Sequence, residues 1–85
     1  MTSIEWDTKA REFLRKLQKD VAERIFRKVD TEIKNNVERF LEPLINKDGY
    51  KIRIGEYRLF VDFYKDKGLL VVRVIRHRRN AYKFS

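Results

Sequence analysis

The spacing of apolar residues along the chain changes period twice. Residues 2–6, TSIEW, alternate polar and apolar, which predicts a short strand with Ile4 facing away from Glu5. Helical spacing follows: Ala10, Phe13, Leu14 and Leu17 fall at i, i+3, i+4 and i+7, and Lys9, Arg11, Glu12, Arg15 and Lys16 lie largely outside that stripe. Asp7 stands at the N-cap position, where a carboxylate accepts from the first free amides of a helix. The stripe breaks phase around Lys19 and Asp20. Asp20 with Glu23 three residues on reads as a capping box opening a second helix, which Val21, Ile25, Val29, Ile33, Val37 and Phe40 or Leu41 carry to Pro43.

Past a loop at residues 44–49, LINKDG, the period becomes two. Tyr50, Ile52 and Ile54 alternate with Lys51 and Arg53, and Gly55-Glu56 makes a turn. Tyr57, Leu59, Val61 and Phe63 then alternate with Arg58, Phe60, Asp62 and Tyr64, and Asp66-Lys67-Gly68 closes a hairpin. Leu69 to Ile75 is nearly continuous aliphatic, the pattern of a strand buried on both faces. The predicted fold is α+β: a strand, a helical hairpin and a three-stranded antiparallel meander, giving a four-stranded antiparallel sheet with two helices packed on one face. Ile52, Ile54, Leu59, Val61, Val72 and Val74 are expected to dock on the helices. The pleat then sends Lys51, Arg53 and Arg58 to the opposite face.

Composition adds a partner class to this outline. The 85 residues make one small domain, 1–85, and no cysteine is available for a disulfide or thiolate metal site. A single His leaves metal binding to a carboxylate cluster that the sequence does not show, so neither metal nor cofactor is expected. No apolar run approaches the roughly 18 residues of a membrane span, and the N-terminus lacks a signal-peptide core, so the chain is expected to be cytoplasmic, without a membrane partner. The net charge of +8 is unevenly divided: residues 50–85 carry ten Lys/Arg against three Asp/Glu, whereas residues 1–49 carry eleven against ten. A basic second half built on strands points to a polyanion.

The run YKIRIGEYRLFVDF, followed by a hairpin and by VIRHRRNAY, resembles the RelE/ParE superfamily of toxin–antitoxin toxins, in which a YK-x-R-x-G-x-YR-x-x-Y-like block leads to a G-H-R-x-x-x-Y-like ending. The order of elements agrees over nearly the whole chain, but the specific residues lie in the last 36. Arg76 replaces the usual glycine before the histidine, and Arg53 stands where some relatives carry lysine. The resemblance to the RelE branch implies a ribosome-dependent endoribonuclease that cuts mRNA in the A site, with the ribosome, mRNA and a cognate RelB-like antitoxin as partners. It puts catalysis on Lys51, Arg53, Arg58, Arg78 and Tyr82, and further RNA contact on Arg76, His77, Arg79 and Lys83.

Metal-free cleavage by the 2′-oxygen needs a base, a proton donor to the leaving 5′-oxygen and cations on the developing phosphorane. One histidine excludes a two-histidine solution. Guanidinium forks match phosphate oxygens, which suits Arg58 and Arg78 to the transition state. Lys51 or Tyr82 is the candidate base, since clustered cations disfavour a further ammonium and favour a phenolate; an arginine, Lys51 or His77 is the candidate acid. Each residue also has a plainer role: an Arg58–Asp62 ion pair, packing for His77, base stacking for Tyr82. Two other functions fit the same residues, a ParE-like poison of DNA gyrase and a noncatalytic basic RNA-binding module.

Overall fold

A computed structural model describes residues 2–81. In chain order the elements are β1 (Ser3–Trp6), α1 (Thr8–Lys16), α2 (Lys19–Lys28) running into a π-helical turn (Val29–Ile33), α3 (Val37–Phe40), β2 (Glu42–Pro43), β3 (Tyr50–Ile54), β4 (Tyr57–Tyr64), a 3-10 turn (Lys65–Lys67), β5 (Leu69–His77) and α4 (Arg78–Ala81). The strands form one sheet in the order β1-β5-β4-β3-β2.

This is the predicted α+β layer arrangement with two corrections to the sheet. It has five strands, not four, because Pro43 does not simply stop a helix: Glu42–Pro43 pairs antiparallel with β3, Glu42 opposite Lys51 and Pro43 opposite Tyr50. Proline is tolerated there because β2 is an edge strand, where a missing N–H breaks no interior ladder. The sheet is also mixed, since β1 runs parallel to β5, Ser3 opposite Leu69 through Trp6 opposite Val72. The helical hairpin carries the chain away from β1, and the meander returns on the far side of the sheet, so that β5 reaches β1 in the same direction.

The predicted second helix is interrupted. Its buried positions Ile25, Val29, Ile33 and Val37 are spaced by four, which drifts round an ideal helix of 3.6 residues per turn. The wider π turn absorbs part of that drift, with Lys34 N–H donating to the carbonyl of Val29, five residues back, at 2.9 Å. Asn36, at φ −157° and ψ 53°, then leaves helical geometry before α3. Neither predicted cap operates through its side chain. Asp7 does occupy the N-cap position of α1 without a side-chain cap bond, and α2 begins at Lys19 behind Gln18, leaving Asp20 inside the first turn.

Helices and sheet enclose a core of Ala10, Ile25, Val29, Ile33, Val37, Ile52, Ile54, Leu59, Val61, Leu70, Val72 and Ile75. Val74 is absent from it. Between β4 and β5 the register shifts at Phe60/Val61, so that Val61 opposes Val72 while Phe60 opposes Val74. Arg73 is the extra residue of a β-bulge, and beyond it the alternation of β5 is inverted, with Ile75 taking the place in the core that simple alternation gives to Val74.

Candidate functional site

The sheet face away from the helices is assembled by two turns and this bulge. Gly55, at φ 57°, closes the β3–β4 turn and sets Arg53 opposite Arg58. At the other end of β4, Gly68, at φ 58°, ends the 3-10 turn and sets Tyr64 opposite Leu69. Continued without interruption, that register puts Ile75 opposite Arg58. The bulge advances it by one, and Arg76 meets Arg58 instead. Three arginines, 53, 58 and 76, thereby occupy directly paired positions on three adjacent strands.

Directly opposed like charges destabilise a sheet, so this row works against folding and in favour of an anion above it. Arg58 is half-buried, and its Nη1 donates to the carbonyls of Gly55 and Tyr57, both at 2.9 Å, which aims the guanidinium without neutralising it. Arg53 is exposed and held by Glu42, Nε to Oε2 at 2.9 Å. Lys51 lies on the same face two residues before Arg53, opposite both Glu42 and Phe60. Phe60 is 7% exposed, so the face opposite the helices is covered at its centre. A groove of about 520 Å³ runs beside it, with Phe60, Val74, Leu44, Asp48 and Asp62 among its lining.

The alternative ion pair of Arg58 with Asp62 is replaced by another. Asp62 Oδ2 accepts from Nη1 of Arg73 at 2.8 Å, and Nε of Arg73 is 2.8 Å from Oδ2 of Asp7. The bulged residue is therefore clamped from β4 and from the start of α1, and the carboxylate expected to cap that helix is engaged in the clamp.

The remaining predicted residues that the structure describes lie apart from the row. His77 follows Arg76 and so points to the helix side, where its ring meets Tyr57 edge-on at 5.5 Å. Its Nδ1 accepts from the Arg79 N–H at 3.3 Å, and its Nε2 is 3.8 Å from Oε1 of Glu56. Arg78 opens α4, exposed, with Nε 3.9 Å from the same carboxylate oxygen, and its N–H donates to the Glu56 carbonyl at 2.7 Å. Arg79 is exposed on α4. Tyr82 and Lys83 fall outside the described residues. Sequence reasoning missed Glu42 and Glu56, the two carboxylates that hold Arg53 and Arg78, and it missed Arg73. Among the described residues, no group of three or more His, Asp or Glu side chains is gathered to hold a metal ion. No helix among them is long and apolar enough to cross a membrane.

Residues 4–81 match a family model described as the ParE toxin of the type II toxin–antitoxin system parDE. No curated protein matches the sequence. Several solved structures share the fold. The RelBE2 toxin–antitoxin complex of Mycobacterium tuberculosis matches with a TM-score of 0.83 and 23% identity over 91% of this chain and 98% of the other. The intact RelBE complex of Escherichia coli matches at 0.71 and 24% over 91% and 96%, and the isolated RelE toxin of the same organism at 0.70 and 24% over 98% and 93%.

Proposed function

The chain belongs to the ParE toxin family of type II toxin–antitoxin systems, and from that premise we propose that it is a RelE-like, ribosome-dependent endoribonuclease that cleaves mRNA in the ribosomal A site. The observation that carries this reading is the cross-strand row of Arg53, Arg58 and Arg76 with Lys51 beside it. Such a row suits a phosphodiester, because several rigid donor forks converge on one surface and guanidinium stays charged throughout a reaction. In the proposed step the 2′-oxygen attacks the adjacent phosphorus and the 5′-oxygen leaves. Arg58, already oriented by two carbonyls, stabilises the equatorial oxygens of the phosphorane. Lys51 is the described residue best placed to exchange the proton, with Tyr82 the other candidate. Arg78 and Arg79 reach the flanking backbone from α4. An incomplete acid–base set depends on an external scaffold to hold the phosphate in line, and the ribosome is that scaffold.

A RelB-like antitoxin is the proposed partner, in line with the RelBE complexes whose fold the chain shares. Two surfaces suit it. Acidic residues would neutralise the arginine row, and an apolar helix would cover Leu14, Ala22 and Phe26 on the helical hairpin, where Phe26 is 49% exposed and stacks on Trp6 at 5.7 Å. Phe26→Asp should weaken capture of a coexpressed antitoxin while leaving mRNA cleavage intact. Loss of both would assign Phe26 to the fold.

Mapping mRNA ends in a translation extract tests the activity. Wild type should produce new ends within translated codons, and Arg58→Ala, purified and folded, should produce them far more slowly. The family description favours a second reading, poisoning of DNA gyrase. Stabilised gyrase–DNA breaks with intact mRNA would establish that reading in place of the first.

A further inference from the structure

Besides Asp62, which is engaged by Arg73, the cationic face carries an acid that the proposed chemistry does not use. Glu42 sits on the two-residue edge strand β2, directly opposite Lys51, and its Oε2 lies 2.9 Å from Nε of Arg53. The two side chains are 42% and 60% exposed, so the pair is open to solvent and readily exchanged. A carboxylate accepting from a guanidinium occupies the place that a phosphate oxygen would take. β2 belongs to neither the hairpin nor the meander. Its register with β3 delivers this carboxylate between the two cations of β3, Lys51 and Arg53, at the outer edge of the row.

We propose that Glu42 is an internal competitor for RNA, occupying Arg53 in the free protein and giving way to a phosphate when RNA is bound. The inference rests on the reading of this face as an RNA surface and adds a residue that sets its affinity. Free RNA must displace the carboxylate, so it is held weakly. RNA already fixed on a larger scaffold loses less on binding and can displace it. Arg58, which donates to two neutral carbonyls, needs no such exchange.

The test uses the full-length protein and a short 2′-O-methyl oligoribonucleotide, which has no free 2′-hydroxyl to attack and therefore reports binding alone. Glu42→Gln keeps the shape of the side chain and removes its charge. It should tighten binding roughly two- to fivefold, the range for freeing one solvent-screened pair. It should also steepen the dependence of log K on log salt, by no more than about 0.7, because the displaced wild-type carboxylate takes up part of the cation that the phosphate releases. Glu38→Gln is the matched control, because Glu38 pairs with Lys65 at 3.1 Å beyond the opposite end of β4 and its loss changes net charge equally. Arg58→Ala tests the underlying reading.

Tighter and steeper binding by Glu42→Gln alone, with weaker binding by Arg58→Ala, supports the proposal. Equal gains from Glu42→Gln and Glu38→Gln, or no gain from Glu42→Gln while Arg58→Ala loses affinity, overturn it and leave the RNA surface standing. Undiminished binding by Arg58→Ala overturns both.

Discussion

At the scale of single residues, the site combines cations with different partners. Arg58 is aimed by carbonyls, whereas Arg53 and Arg78 lie near Glu42 and Glu56. Arg58→Ala should therefore slow mRNA cleavage in a translation extract about hundredfold, the scale of losing one transition-state donor. Arg58→Lys should retain most oligonucleotide binding and still cleave about tenfold more slowly, because a point charge cannot supply the planar fork. Wild-type cleavage by either variant would remove Arg58 from the reaction. The lysine and arginines of β3 and β4 were legible from their alternation with Ile52, Ile54, Leu59 and Val61. Glu42 was not, because Pro43 beside it reads as a helix stop, and an edge strand of two residues leaves no period to detect. Arg73 carries a structural charge on the same face. Its replacement by Ala should cost about 1 kcal/mol, the upper range for solvent-screened pairs, and lower the melting temperature by roughly 4–8 °C.

Among the elements, the π turn and the 44–49 loop depend on features that spacing alone only half reveals. Ile33 ends the π turn with no solvent exposure, and Ile33→Ala should cost about 3 kcal/mol by leaving a cavity between helix and sheet; denaturant titration measures it. Gly49, at φ 103°, closes the loop against β4, and a Cβ there would stand 3.3 Å from both Oδ1 of Asp62 and the Val61 carbonyl. Gly49→Ala should cost about 2 kcal/mol through backbone conformation and crowding together, and a variant as stable as wild type would contradict that account. The Asp48-Gly49, Gly55-Glu56 and Asp66-Lys67-Gly68 turns could be read directly, since glycine at positive φ marks such places. The bulge could not. VVRVIR reads equally well as unbroken alternation, and only pairing with β4 shows that Val74 and Ile75 have exchanged sides.

For the whole molecule, charge and packing divide along the chain: near-neutral helices supply one wall of the core, and the strands carry the excess of cations on the other side of the sheet. Oligonucleotide affinity should accordingly fall steeply with salt, while thermal stability, resting on an apolar core, should change little over the same range. A parallel loss of both would tie the fold itself to the charges. The clamp of Arg73 by Asp7 and Asp62 has a consequence for how the chain tolerates change. β5 offers two residues, Arg73 and Val74, where β4 offers one partner, and only while Arg73 bulges out does every later side chain keep its side of the sheet. Removing Arg73 outright would keep Val74 opposite Phe60 and Arg76 opposite Arg58 on regular alternation, whereas straightening the strand with Arg73 retained would turn Ile75 and His77 outward and drive the Arg76 guanidinium among the helices. A reading frame of side chains, kept by one residue that bulges out of it, separates this molecule's core from its working surface.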